Sequence, residues 1–383
     1  MDLSWTEEQL GLRDAIVRFA QKELNKDMVA RDAEGRFSRE LWVKCAEVGL
    51  QGMPLPEQYG GQGADPLTTI MALEALGYGC SDNGLIFAIN AHMWSAEMPL
   101  LRFGTEEQKQ RYLPGMCDGT LIGVQGMTEP GSGSDAFGMK TTAESRGDSY
   151  VLNGTKTFIT NAPVADVFVI FASTDPKAGA LGISAFLVDT GTPGLEVGKP
   201  FSKMGLRTSP MSELFFDDCV LPAERMLGKR GNGMAIFNHS IDWERGFILA
   251  AAVGTMQRQL ETAIEHARTR EQFGQPIGKF QAVSHRIVDM KMRLEAARSF
   301  LYQVGWAKVQ AEGANTPTES ALAKLYISEA WVQSSLDTLQ ILGGYGYMTE
   351  TEVERDIRDA LASRIYSGTS DIQRNIIAGR LGL

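Results

Sequence analysis

Apolar residues recur at three- and four-residue steps from Leu3 to about Asp118, a period that predicts helices. Ser4-Trp5-Thr6-Glu7 reads as a capping box at their start, and Thr105-Glu106-Glu107-Gln108 repeats the device. Tyr59-Gly60-Gly61-Gln62-Gly63 is too rich in glycine for a helix interior and reads as a loop. Near Leu121 the period changes to alternation. Tyr150 to Leu152 and Thr155 to Thr160 flank Asn153-Gly154, a favoured two-residue turn, and predict a β-hairpin. Val167 to Phe171, Ile183 to Val188 and Glu213 to Phe216 add strands, separated by turns such as Thr192-Pro193-Gly194. No helical segment long enough for a crossover lies between them, so an antiparallel, barrel-like sheet is expected rather than a parallel one. After about Gly233 the helical period returns. Segments 233–269, 280–312 and 317–341 suit an antiparallel bundle, and Ile287, Met290, Leu294, Ala297, Leu301 and Val304 mark one apolar stripe. The expected class is α+β: a helical domain in 1–118, a sheet domain in 119–230 and a helical bundle in 231–383.

Composition narrows the function. With 383 residues, 43% of them apolar and 22% charged, the chain has the make-up of a globular protein with a large core. Its 37 Lys and Arg against 47 Asp and Glu give a net charge of -10, which argues against nucleic acid as a partner. Cys45, Cys80, Cys117 and Cys219 lie far apart, without a C-x-x-C pair or nearby histidines, so neither a structural metal site nor a disulfide framework is expected. The N-terminus lacks the basic start and apolar run of a signal peptide. Gly246 to Met256, the longest uncharged apolar stretch, falls far short of the roughly 20 residues that span a bilayer. No membrane association and a cytoplasmic location are expected.

Familiar nucleotide fingerprints are missing: there is no G-x-x-x-x-G-K-[ST], and no G-x-G-x-x-G between a strand and a helix. His92, His239, His266 and His285 are scattered and read as structural. Four other segments carry more chemistry. Met127-Thr128-Glu129-Pro130-Gly131-Ser132-Gly133-Ser134-Asp135 combines small residues with hydroxyls, so its backbone can approach a ligand and offer N–H donors, though a plain loop has the same composition. Arg270 to Gly278 joins two long helices with an arginine ahead of Phe273, suited to a pyrophosphate beside a ring; its bland reading is a helix–helix turn. Gln340-Ile341-Leu342-Gly343-Gly344-Tyr345-Gly346-Tyr347 ends a helix in glycines that also serve as a C-cap. The fourth segment is Tyr366 to Gln373.

In this order, and across this helix–sheet–helix layout, the four segments resemble the acyl-CoA dehydrogenase family over nearly the whole chain. The resemblance implies an N-terminal helical domain, a central β-domain and a C-terminal four-helix bundle, with FAD between the last two and a homo-oligomer, a tetramer or a dimer being usual. It implies that Gln125, Met127, Thr128, Gly133 and Ser134 line the flavin. Phe158, Ile159 and Thr160 would pack on its isoalloxazine, Phe158 standing where many members carry Trp. Arg270, Gln272, Phe273 and Gln281 would contact FAD across a subunit interface, joined by Gln340, Ile341, Gly343 and Gly344, and Thr369 and Asp371 would complete the cradle.

The family reaction takes the α-proton of an acyl thioester while the β-hydride passes to flavin N5, so a carboxylate must stand over Cα. Many members place that Glu immediately before Gly-Thr in the last motif, where this chain has Ser367. A serine hydroxyl cannot serve as the base unaided, but the backbone N–H of residue 367 can still bind the thioester carbonyl and steady the developing enolate. A minority, including isovaleryl-CoA dehydrogenase, carries its Glu on the first long helix of the C-terminal region, just before an Arg. Here that stretch reads Ile241-Asp242-Trp243-Glu244-Arg245-Gly246. Glu244 is thereby implied as the base, its pKa raised by an apolar setting. Asp242, Arg245 and Ser134 are implied as substrate contacts.

Within that minority the chain is similar to the prolyl-carrier-protein dehydrogenases and oxidases of natural-product pathways that make antibiotics or toxins. The likeness rests on Ser367 in its motif, the Trp243-Glu244 pair, Phe158, and the stretch from Thr160 to Phe168. The implied substrate is L-proline held as a phosphopantetheine thioester on a peptidyl carrier protein, an acyl carrier protein, oxidised toward a pyrroline or pyrrole. A typically acidic carrier favours a basic patch, for which Lys291, Arg293 and Arg298 are candidates, though a solvated helix face explains them equally well. Alternatives are a dehydrogenase of short branched acyl-CoA and a non-catalytic helical assembly protein of the same fold.

Overall fold

A computed structural model of the chain describes residues 4–383 and places Thr6, not Ser4, at the head of the first helix. Leu3, the expected start, lies outside the described residues. Thr6-x-x-Gln9 offers the same reciprocal pattern as Ser4-x-x-Glu7: Gln9 N–H donates to the Thr6 hydroxyl at 3.2 Å and Thr6 N–H to Gln9 Oε1 at 3.0 Å. Trp5 packs edge-on to Tyr302 at 5.4 Å, which holds the preceding segment against the later helices. Thr105 and Gln108 form the second box as expected.

The leading helices are α1 (Glu7–Glu23), α2 (Met28–Glu34), α3 (Arg39–Glu47), α4 (Pro66–Gly79), α5 (Asn83–His92), α6 (Met98–Phe103) and α7 (Glu106–Cys117). A π-helical turn, Met93–Glu97, joins α5 to α6. The strands are β1 (Gly123–Gly126), β2 (Thr142–Arg146), β3 (Ser149–Thr160), β4 (Val167–Ser173), β5 (Ile183–Asp189), β6 (Leu195–Val197), β7 (Met211–Pro222) and β8 (Met226–Leu227). After them come α8 (Gly233–Phe247), α9 (Ala250–Thr269), the short hairpin β9 (Glu271–Gln272) and β10 (Gln275–Pro276), then α10 (Gln281–Gln310), α11 (Pro317–Leu342), α12 (Val353–Ala362) and α13 (Ser370–Arg380). No helix among the described residues is long and apolar enough to cross a membrane.

Three expectations need correction. Asn153-Gly154 is not a turn: β3 runs straight through it, with a bulge against β7 between Leu152 and Gly154, and the hairpin turns instead at Gly147-Asp148. The close approach of Thr141, whose Cα would lie 2.7 Å from a Cβ at 154, requires glycine there. The sheet is open, in the order β6-β7-β3-β2-β4-β5-β8, and β1 pairs with β4 in parallel. A parallel pair was set aside for want of a crossover helix; the β2–β3 hairpin makes the crossover instead. Finally, the segment 233–269 is two helices, broken at Ile248-Leu249 without glycine or proline, so the period reads straight through.

Helices α9, α10 and α11 pack on one another and α8 packs on α11. Met290, Leu294, Ala297, Leu301 and Val304 are buried, as their spacing predicts. Helix α4 is apolar nearly all round and lies between α1, α9 and α10, so the leading and trailing helices share one core. At its centre Gly77 meets α9: a Cβ at Gly77 would stand 1.9 Å from Ala251 O, and one at Gly254 2.0 Å from Glu74 O. Only glycine permits that backbone approach.

Candidate active site

The side of α8 facing the leading helices and the sheet carries Phe237, Ser240, Ile241 and Glu244, spaced by three and four residues. Ser240 Oγ lies 3.1 Å from Trp94 O and 3.2 Å from Gln125 Oε1, which ties this face to the π-helical turn and to β1. Phe237 meets Phe137 and Phe171 edge-on, each at 5.8 Å. One and two turns further on, the Glu244 carboxylate is half-buried and accepts a hydrogen bond from the Ser367 hydroxyl. Burial raises its pKa above the ordinary carboxylate value, while the Ser367 hydroxyl, Arg245 and Lys324 favour the charged form and offset part of the rise. Such a carboxylate is a stronger base than an exposed one.

The turn before α13 presents Ser367 with φ 56°, a left-handed conformation that costs a non-glycine residue about 1–3 kcal/mol. Its carbonyl is held by Arg245 Nε at 3.2 Å and Gln373 Nε2 at 3.1 Å. The next carbonyl, of Gly368, is held by Lys324 Nζ at 2.8 Å and Gln373 Nε2 at 2.9 Å. These bonds fix the turn that follows Ser367, and the Ser367 N–H meets no acceptor among the described residues. Lys324 is buried and its pKa falls to about 7, from burial and then from Arg245. Lys324 was not singled out from sequence, and Gln373 only as the end of the fourth segment. Lys324 sits mid-helix where its period resembles any surface lysine.

Gln125 lies on β1, and Met127 and Thr128 follow at its end. Gln125 Nε2 is buried without an acceptor among the described residues. Beyond, Gly133 and Ser134 are exposed, and a Cβ at Gly131 or Gly133 would meet nothing within 4 Å. The loop hangs from a buried ion pair that sequence reading missed. Lys156 Nζ meets Glu129 Oε1 at 2.7 Å and Met127 O at 3.2 Å, and the Glu129 carboxylate accepts Lys140 N–H at 2.6 Å and Thr141 N–H at 3.0 Å. Burial brings the Lys156 pKa down to about 8. Two residues on, Phe158 has φ 58° and is 62% exposed, packed on one side by Phe201 at 5.6 Å. Thr160 is half-buried, but Ile159 turns into the core, so an isoalloxazine could meet only its backbone. The strand shifts register against β7 between Lys156 and Ile159, and there Phe158 is exposed while Ile159 is buried.

A second group stands apart. Arg270, Gln272, Ile341, Gly343 and Gly344 line a cavity of about 510 Å³ between the end of α9 and the end of α11, and its lining includes none of the residues around Glu244. Arg270 lies 5.8 Å over the Tyr345 ring. Phe273, φ 53°, is 94% exposed at the tip of the β9–β10 hairpin, and Gln281 and Gln340 are exposed nearby on α10 and α11. Thr369 caps α13, accepting Ile372 N–H at 3.2 Å, and Asp371 pairs with Arg374 at the surface.

Asp242 is not brought to the cleft. It is buried, paired with Lys308, and accepts Thr316 N–H at 2.8 Å, an ion pair that pins α8 to the α10–α11 connection. Nor do the expected cations form a free patch: Lys291 pairs with Glu295, Arg293 with Asp337, and Arg298 with Glu74 and Glu295. Two of the scattered histidines are held inside the fold. His92 Nδ1 accepts Gly123 N–H at 2.9 Å while Nε2 faces Glu97 at 3.0 Å, and burial lowers the His239 pKa to about 4.

Family models match this chain in three consecutive pieces: acyl-CoA dehydrogenase N-terminal domain over residues 6–120, middle domain over 125–219 and C-terminal domain over 231–382. The chain belongs to the acyl-CoA dehydrogenase family. Among relatives within it, an L-prolyl-[peptidyl-carrier protein] dehydrogenase of Serratia sp. (strain ATCC 39006) is 44% identical over 100% of this chain and 99% of its own. The crystal structure of the prolyl acyl carrier protein oxidase AnaB superposes with a TM-score of 0.98 at 53% identity, covering 99% of this chain and 100% of that one. The structure of PigA with FAD and proline gives 0.97 at 44% identity, with both chains fully covered. The α+β architecture of helices, sheet and helices is that of the family.

Proposed function

We propose that this chain is an FAD-dependent dehydrogenase of an acyl thioester, and that its substrate is L-proline carried on the phosphopantetheine of a peptidyl carrier protein. The names borne by the Serratia relative and by AnaB support the substrate. One observation carries the chemistry: a half-buried carboxylate, Glu244, stands beside a Ser367 turn whose N–H has no acceptor among the described residues.

The residues present fit FAD. Gln125 Nε2 is an unused buried donor, the positions of Gly131 and Gly133 leave room for close backbone approach, and Phe158 offers one flat apolar face. Gln125, Met127, Thr128, Ser134, Phe158 and Thr160 would hold the flavin end, with Thr369 and Asp371 beside it. The separate cavity of Arg270, Gln272, Gly343 and Gly344, with its exposed Phe273, fits a contribution to a neighbouring copy's cofactor and so supports a homo-oligomer, a tetramer by the family resemblance. FAD, when bound, supplies the acceptor for the hydride leaving Cβ.

The chain's own part is proton chemistry and positioning. Glu244 takes the Cα proton, and the Ser367 N–H donates to the thioester oxygen as negative charge gathers there. Arg245 fixes the Ser367 carbonyl and adds positive charge beside the base. Removal of the α-proton and the β-hydride leaves a Cα–Cβ double bond, the first step toward a pyrroline or pyrrole.

Stopped-flow bleaching of the flavin tests this. The FAD-loaded protein is mixed with prolyl-carrier protein and, separately, with a short branched acyl-CoA. Bleaching by the prolyl thioester is expected; bleaching by the CoA ester alone would overturn the substrate, and a protein that takes up no flavin would overturn the enzyme.

A further inference from the structure

A base buried on α8 can reach a carrier-bound thioester only through an extended arm, and the arm needs a mouth. From Glu244 back to Gly233 at the head of α8 is about 16 Å at 1.5 Å per residue, which puts the loop before α8 about one phosphopantetheine arm from the carboxylate. At that outer end the loop before α8 closes on the turn Pro176–Gly182. Arg230 Nη2 donates to Thr174 O and Gly231 N–H to Ser184 Oγ, both at 2.9 Å. A Cβ at Gly231 would stand 2.8 Å from Leu181 O. Residues 177–181 and 229–231 therefore form one continuous rim.

That rim is basic in a chain whose net charge is -10. Lys177, Lys229 and Arg230 are exposed, and none meets a carboxylate within ion-pair distance among the described residues. The one carboxylate of the turn, Asp175, accepts Lys177 N–H at 3.1 Å as a helix cap. Leu181 stands among the cations, 68% exposed. An exposed leucine on a rim that carries unpaired cations is complementary to a surface that is acidic and carries an apolar contact.

We infer that this rim docks the peptidyl carrier protein, with Lys177, Lys229 and Arg230 facing its acidic residues and Leu181 its apolar patch beside the attachment serine. The inference rests on the carrier reading of the substrate. CoA is the less complete match, since its phosphates would use the cations and leave Leu181 bare.

The test is the triple variant Lys177→Glu, Lys229→Glu, Arg230→Glu in the FAD-loaded protein, with Leu181→Ser alongside. Flavin bleaching is followed with prolyl-carrier protein and with prolyl-pantetheine, which has the arm but no protein. The triple variant should raise KM for the carrier at least tenfold and flatten its salt dependence, with kcat and the prolyl-pantetheine rate unchanged; Leu181→Ser should raise KM severalfold. An unchanged carrier KM, or equal loss with both substrates, overturns the docking surface. Binding of the phosphopantetheinylated carrier without proline separates the two claims. Wild-type protein that binds it but is not bleached by either prolyl thioester refutes the substrate alone, whereas failure to bind it overturns the docking surface.

Discussion

Ser367 donates its hydroxyl hydrogen to the carboxylate of Glu244, joining positions 123 residues apart in the chain. The position that in many relatives would carry the base thus holds a hydroxyl bonded to a carboxylate from α8, the group we propose as the base. A hydroxyl donor favours the charged carboxylate, so it works against the rise that burial imposes.

Replacing Ser367 with Ala removes that donor and leaves the backbone N–H in place. The Glu244 pKa should climb further, and the rate of flavin bleaching, which needs the carboxylate charged, should rise only at higher pH. On the acid side of the profile the variant should be about tenfold slower for each unit of displacement, with the rate regained in alkali. KM for the thioester should hold steady. An unmoved pH profile would show that the hydroxyl does not govern the base.

Glu244→Gln should keep the flavin and lose bleaching by about three orders of magnitude or more. Stability should move the other way. Because the folded pKa lies above the unfolded one, the folded chain holds this proton more firmly; the stability so gained is full below the unfolded carboxylate value and lost as pH rises through the folded one. Above the folded pKa the half-buried charge is a cost, which glutamine removes. Melting curves should place the variant a few degrees above wild type at pH 7 and close to it at pH 4.

The architecture was legible because long amphipathic periods and alternating strands each have one physical reading, and Glu244 and Ser367 were each singled out by a motif, though the hydrogen bond between them was not. What escaped was long-range pairing. Nothing near Lys156 announces that Glu129 will meet it, and Lys324 has the spacing of a solvated helix residue. Asp242 misled because its place in the motif points to the cleft, while its partner, Lys308, lies far along the chain on another helix. Asn153-Gly154 carried a local turn preference that the longer strand overrode.

Lys156→Met should be among the most damaging single changes away from the cleft. It leaves Glu129 buried without its cation, at a cost of about 3–5 kcal/mol, and frees the loop from Met127 to Lys140. Thermal unfolding should drop sharply and FAD should dissociate before the chain melts. Adding Glu129→Gln should recover part of the melting temperature; no recovery would mean that the damage lies in the lost lysine contacts and not in a stranded charge.

The crossing of α4 and α9 at Gly77 and Gly254 binds the two ends of the polypeptide more intimately than either is bound to the strands between them. A protease that nicks the exposed turn Pro176–Gly182 should therefore release nothing: the fragments should travel together through native gel filtration and separate only in denaturant. Neither end can be made as a self-sufficient piece, because each supplies half of the other's interior.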